Sequence, residues 1–255
     1  MKKLLTVSIL GLALAAGTTQ ARDYDHVRFG VDVPYEPMEY RTPEGELTGF
    51  DIELGNALCA EMGVTCEWIE QEWDGIVPGL MARNYDAIMS SMTINDERRQ
   101  SLLFSDPYIT MPGAWFAPAG SDLEEANEET LAGLSIGVQR GTTYDSYATD
   151  AFGSTANVNR YSTADDMMLD MEAQRLDIVF LEFAVGQSTL LDSDAGDFKV
   201  VGEMVTEPAE IFGEGFGIAF RQRDTALAER FNEALATLKE DGTYDEIYER
   251  YFGEE

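Results

Sequence analysis

A chain of 255 residues with 48 acidic against 17 basic side chains carries a formal net charge of −31. Such a field repels nucleic acid and anionic membrane surfaces, which excludes both as partners. The acids are scattered along the chain, excluding an acidic disordered tail, and two cysteines with one histidine argue against a zinc site. A solvated surface screened by high salt explains this scatter better than steering of a cationic ligand.

Residues 1–21 read as a cleavable targeting segment. Lys2 and Lys3 precede an apolar run over 4–16, and Thr19-Gln20-Ala21 offers a small-x-small cleavage site. The run is too short to span a bilayer, and the absence of a cysteine at the cleavage point argues against a lipid anchor. A secreted, periplasmic protein of 234 residues is expected to follow, enough for one large or two small domains. Losing Lys2 and Lys3 leaves it 15 basic against 48 acidic residues, a balance of −33.

Residues 26–33 alternate as a first strand, with Val27, Phe29, Val31 and Val33 on one face. Pro34 and Pro37 then stiffen a loop that leaves Asp32 and Tyr35 at the strand's carboxyl end. A turn over 42–46 leads to a helix whose apolar face is Phe50, Leu54, Ala57, Leu58 and Met62, closed by Gly63. A second strand is expected over 64–71. A helix follows from Trp73 to Ala82, with Pro78 placed near its first turn. Cys59 and Cys66 flank the junction of helix and strand. A disulfide is the expected state in an oxidising compartment, two buried thiols being the alternative.

Tyr85–Arg98 organises the rest of the chain. A buried strand over 85–89 runs into the hydroxyls of Ser90, Ser91 and Thr93, and Asn95 caps a short helix carrying Arg98. Strand, hydroxyl-rich turn and arginine form a set of donors suited to a small carboxylate. The plainer reading is a polar turn with a surface arginine. Residues 103–108 lead into another strand, and 114–117 read as a strand crossing to a second unit.

A second βα series begins near Leu131. Its strands are placed at 134–138, 158–161, 177–181 and 199–204; one helix follows the turn over 139–144 and ends near Phe152, and others run over 164–175 and around 184–191. Met167, Met168 and Met171 read as core filling. The turn Gln139-Arg140-Gly141-Thr142-Thr143 offers backbone donors at a helix entry, and Glu182 ends a strand. The chain then returns through a strand over 216–220 and helices over 224–238 and 246–252. Two βα series joined by two crossings imply an α/β protein of two lobes, 22–111 with 212–255 and 112–211, and the cleft between lobes is the default ligand site.

The segments GFDIELGNALC, IMSSMTI, GVQRGTTY and DGTYDEIYERYF together resemble the periplasmic polar amino-acid-binding proteins of ABC transporters (solute-binding protein family 3). The resemblance is strongest to the lysine/arginine/ornithine- and histidine-binding branch, and it runs from about Val27 to Phe252. It implies the two-lobed periplasmic-binding-protein type II fold, with a ligand cleft between lobes joined by two hinge crossings. It implies no catalysis and no cofactor, with a membrane permease as transient partner of a monomer. Arg98, Thr93 and Thr143 would grip the ligand's carboxylate, while Ser91 and Glu182 would hold its ammonium. Tyr35 and Trp73 would flank the side chain, and Asp32 with Ser90 would meet its distal cation. The Cys59–Cys66 spacing matches a disulfide of that branch.

Three departures stand out: Glu182 where aspartate is common, Tyr144 where glutamine is common, and Glu36 as a second carboxylate beside Tyr35. Asp32 with Glu36 would favour a cationic side chain, because a buried carboxylate wants a partner charge. Alternatives are a receptor for an opine or for a compatible solute such as ectoine, a dehydratase on the same fold, and a sensor domain. The dehydratase needs an acid or base in the cleft, and His26 lies far from it.

Overall fold

The structure, a computed structural model, describes residues 25–193 and 196–253. The leader expected at 1–21 lies outside the described residues. In chain order the elements are β1 (His26–Val31), β2 (Tyr40–Arg41), β3 (Leu47–Thr48), α1 (Phe50–Glu61), β4 (Thr65–Glu70), α2 (Trp73–Met81), β5 (Ala87–Ile88), α3 (Asp96–Arg99), β6 (Leu102–Phe104) and β7 (Gly113–Pro118). There follow β8 (Ser135–Gln139), α4 (Thr143–Phe152), β9 (Asn157–Tyr161), α5 (Ala164–Glu172), β10 (Ile178–Glu182) and α6 (Phe183–Gly186), which continues as a π-helical turn over Gln187–Leu191. The chain closes with β11 (Phe198–Val205), α7 (Ala209–Phe212), β12 (Ala219–Arg221), α8 (Thr225–Asp241) and α9 (Thr243–Phe252).

Two five-stranded mixed sheets result, ordered β4-β1-β5-β12-β6 and β11-β7-β10-β8-β9. In the first, β1 runs parallel to β4 and β5, and β12 antiparallel to β5 and β6. In the second, β8 runs parallel to β9 and β10, and β7 antiparallel to β10 and β11. The hydrophobic pattern accounts for the layering. The apolar face of α1 (Phe50, Leu54, Leu58) packs with Phe29, Phe220 and Phe231 on one face of the first sheet. On the other face, Ile76 and Leu80 of α2 meet Tyr85, Ile88 and Phe104. In the second sheet the rings of Trp115 and Phe180 stack at 4.2 Å, while Met167, Met168 and Met171 of α5 are buried, as expected of core filling.

The helix caps follow sequence logic. Asn95, Thr142 and Thr163 each accept a backbone N–H from the first turn of α3, α4 and α5. Several local expectations need correction. Pro78 sits inside α2 rather than near its first turn, so the carbonyl four residues earlier loses its N–H partner. The crossing strand read at 114–117 extends over 113–118 as β7, an interior strand of the second sheet between β11 and β10. The first strand stops at Val31, where the next N–H, that of Asp32, donates to the Ser90 side chain rather than to a strand neighbour. The returning strand starts at Ala219 rather than 216; Phe216 instead bridges Thr93 and Ile109.

Candidate functional site

Parallel strands of both sheets aim their carboxyl ends at one place. Asp32 follows β1, Ser90 and Ser91 follow β5, Gln139 ends β8 and Glu182 ends β10. Open α/β sheets bind ligands at such ends. A small cavity lies there, bordered by Asp32, Tyr35, Trp73, Ser90, Ser91, Thr93, Arg98 and Thr143. Eight of the nine expected residues therefore meet around one space. The ninth, Glu182, does not border the cavity. It is fully buried close to Tyr35, Tyr144 and Asp51, and neither of its carboxylate oxygens has a hydrogen-bond partner.

One end of the cavity is cationic. Asn95 caps α3 by accepting the Arg98 N–H at 3.0 Å, which roots the arginine at the first lobe's edge. Its Nη1 donates to the Thr93 carbonyl at 3.0 Å, and the guanidinium lies 5.4 Å from the Trp73 ring centroid. No carboxylate pairs with Arg98 among the described residues, and burial lowers its pKa to about 10. Opposite it stands the start of α4, where Thr142 accepts the Asp145 N–H at 3.2 Å. Gly141 enters this helix at φ +72°, a left-handed conformation suited to glycine. Buried Thr142 and Thr143 border the cavity beside the helix's free N–H groups.

The opposite end is acidic. The Asp32 N–H donates to Ser90 Oγ at 3.0 Å, and Ser90 Oγ donates to Glu39 Oε1 at 2.6 Å. The Ser91 N–H donates to Asp51 Oδ2 at 2.8 Å, and the Tyr108 hydroxyl reaches the same oxygen at 2.8 Å. Ser91 takes φ +48°, unusual outside glycine and a mark of local strain at a functional turn; its buried hydroxyl has no partner. Burial raises Asp32 to about 6 despite a hydrogen bond from Gln139, and raises Asp51 to about 7. Glu39 and Glu182 are pushed well above the usual carboxylate range, again chiefly by burial.

The second carboxylate beside Tyr35 is Glu39, not Glu36. Glu36 is exposed, whereas the turn formed by Tyr35 N–H to Glu39 O (2.6 Å) and Met38 N–H to Tyr35 O (2.9 Å) folds Glu39 back into the cavity wall. Gln139, Glu39 and Asp51 belong to the site or its support and escaped sequence reasoning as functional groups; Thr142 and Tyr144, read only as part of a helix entry and as a departure, border the cavity as well. Asp51 had a readable signal: it lies on the same helical stripe as buried Leu54 and Leu58. Glu39 had none, since nothing in the pattern distinguishes it from Glu36.

Several hydrogen bonds span the cleft from the first sheet's segments to the second's, among them Arg98 Nη2 to the Gly141 carbonyl at 3.5 Å. Gln139 Nε2 donates to Asp32 Oδ2 at 2.8 Å, Trp73 Nε1 to the Gly141 carbonyl at 3.1 Å, and Arg140 Nη1 to Asp74 Oδ2 at 2.8 Å. The two halves are thus closed over the cavity. Cys59 and Cys66 are joined as a disulfide. Among the described residues, no group of three or more His, Cys, Asp or Glu side chains is placed to hold a metal ion, and no helix is long and apolar enough to cross a membrane.

Comparison with known proteins agrees with this architecture. An L-arginine-binding protein of Pseudomonas aeruginosa is 41% identical over 254 residues, covering 99% of this chain and 97% of that protein. The lysine/arginine/ornithine-binding periplasmic protein of Escherichia coli is 35% identical over 254 residues, covering 98% and 96%. A solved structure of an ancestral arginine-binding protein bound to glutamine superposes with a TM-score of 0.83 at 32% identity, covering 91% of this chain and all of that one. The fold is that of the two-lobed type II periplasmic amino-acid-binding proteins. Residues 27–254 match the bacterial extracellular solute-binding proteins, family 3, and the chain belongs to that family.

Proposed function

We propose that this protein is the periplasmic substrate-binding component of an ABC transporter, and that it takes up an L-amino acid with a cationic side chain, of the arginine, lysine, ornithine or histidine type. The observation that carries this reading is the polarity of the cavity: one guanidinium without a carboxylate partner at one end, and buried carboxyl groups without a cation at the other. A molecule with a carboxylate at one end and positive charge elsewhere completes both. Arg98, Thr93, Thr143 and the N–H groups of α4 hold the α-carboxylate. Glu182 and the Ser91 hydroxyl hold the α-ammonium, Glu182 turning toward the cavity as the ligand enters. Tyr35 and Trp73 flank the side chain, and Asp32 with Ser90 meets its distal cation. The names of the relatives, which bind arginine, lysine, ornithine and histidine, support this assignment.

The lobes on this reading are 22–111 with 212–255 and 112–211. They open and close about the crossings, and the closed monomer docks transiently on a membrane permease. Residues 1–21 direct export and are removed. The protein catalyses nothing itself: its cleft binds and releases.

The test is a thermal-shift screen on protein unfolded and refolded to strip ligand. Arginine, lysine, ornithine and histidine are expected to stabilise it; glutamate and ectoine are not. Ligand at 100 times its Kd adds about 2.7 kcal/mol, a readily resolved shift. Stabilisation by glutamate or ectoine alone refutes the pocket assignment.

A further inference from the structure

Glu39 and Asp51 are buried carboxyl groups that the ligand roles above leave unused. The main chain forces them together. The Phe50 N–H donates to Pro37 O at 3.0 Å and the Asp51 N–H to Met38 O at 2.9 Å. The segments approach this closely because residue 49 is glycine. At its φ of +125°, a Cβ would lie 2.2 Å from Met38 O and 2.8 Å from Glu39 Cα. Each carboxyl group uses one oxygen: Glu39 Oε1 accepts from Ser90, and Asp51 Oδ2 accepts from the Ser91 N–H and the Tyr108 hydroxyl. The remaining oxygens, Glu39 Oε2 and Asp51 Oδ1, are buried and receive no donor from another residue's N–H or hydroxyl. The two side chains are within hydrogen-bonding reach of each other. The charged and titratable groups around them are Asp32 after β1, Glu182 on β10 and the hydroxyls of Tyr35, Tyr108 and Tyr244; none is a cation.

We propose that Glu39 and Asp51 share one proton in the empty site, and that the cationic side chain of an incoming ligand expels it. Two carboxylates at such range without a cation cannot both be ionised, and a proton between the orphan oxygens satisfies both. Burial, which raises both groups, acts in the same direction. Glu39 borders the cavity, so a guanidinium or ammonium seated there faces the pair. The O–H bond then breaks, the proton passes to solvent, and the pair gains one negative charge against the ligand's one positive charge. The proposal rests on the cationic-ligand reading above and adds to it a means of discrimination. Cationic side chains gain affinity as pH rises, by about tenfold per unit for one released proton, whereas a neutral side chain of the same shape does not.

The experiment is isothermal titration of the stripped full-length mature chain with arginine between pH 6 and pH 8, in buffers of differing ionisation enthalpy, for wild type and Glu39→Gln. Wild type is expected to release about one more proton than the variant and to show the steeper rise of affinity with pH. In the variant the glutamine amide can donate to Asp51, so no proton is shared between two carboxyl groups. Equal proton release and equal slopes overturn the proposal. Should Glu39→Gln fail to fold, difference infrared spectra of wild type decide. A larger loss of the protonated-carboxyl carbonyl band with arginine than with citrulline, its neutral analogue, supports a shared proton, and an equal loss overturns it. If arginine, lysine and ornithine all fail to bind, the functional reading falls and the proposal with it. Binding without the extra proton removes the proposal alone.

Discussion

Replacing Glu182 by methionine should move two properties in opposite directions. Its side chain is 0% exposed, and both carboxylate oxygens lack partners. A buried polar group left unsatisfied costs about 1–3 kcal/mol. Methionine has similar length and no such group. It also costs α6 nothing, because Glu182 makes no capping hydrogen bond with its side chain. The stripped variant should therefore be more stable than stripped wild type by about 1–3 kcal/mol, or roughly 2–12 °C in Tm for a chain of this size. Binding should suffer by much more. An ammonium deprived of its buried partner loses about 3–5 kcal/mol, roughly 150- to 5,000-fold in Kd. Thermal melts of stripped protein and titration with arginine read the two effects separately. A variant that melts below wild type, or that binds arginine with unchanged Kd, refutes the reasoning that this carboxyl is held strained and unpaired for a ligand.

Arg98→Lys should weaken binding by roughly 10- to 150-fold, the worth of a charge-assisted hydrogen bond of about 1.5–3 kcal/mol, while costing unliganded stability no more than about 0.5–1.5 kcal/mol, the worth of its hydrogen bond to the Thr93 carbonyl; a larger fall in unliganded Tm would show the arginine to be structural. The stripped protein should lose stability as pH rises from about 4 to 7. Burial raises Asp32 to about 6, Asp51 to about 7, and Glu39 and Glu182 well above their usual range. The folded state then binds more protons than the unfolded one, so the stability these groups permit is complete below about pH 4 and falls as pH passes their folded values, at up to about 1.4 kcal/mol per unit for each group. Urea midpoints across that range check it, and a rising curve contradicts it. Reducing Cys59–Cys66, which are seven positions apart, should cost about 2–3 kcal/mol by releasing a short loop; denaturation with and without reductant measures this, and an unchanged midpoint would mean the loop is already ordered without the bond.

Much of the candidate site's geometry was legible because it obeys local rules. Arg98 could be read from a strand, a run of hydroxyls and a capping asparagine, all of which the structure keeps. Thr142 and Thr143 could be read as a helix entry for the same reason. What escaped depends on chain segments meeting across space. Gln139 belongs to a strand end that reads as ordinary, and its amide matters only because the lobes close it onto Asp32. Glu39 was passed over for Glu36 because a tight turn, not periodicity, decides which of the two faces inward. Strand limits failed where long-range pairing takes over: β12 begins late because Phe216 is committed to Thr93 and Ile109.

The order of strands in the first sheet has a consequence for how the chain is made. β12 lies between β5 and β6, yet it is supplied more than a hundred residues after them. Its Arg221 reaches back to the carbonyls of Leu80 and Tyr85 at 3.0 and 2.8 Å, closing the same seam. Until residue 221 has been synthesised, β6 has no neighbour in its sheet and the apolar faces around it stay open. A nascent chain ordered in this way delays its own folding. On the export route proposed above, that delay would leave the chain threadable during its passage.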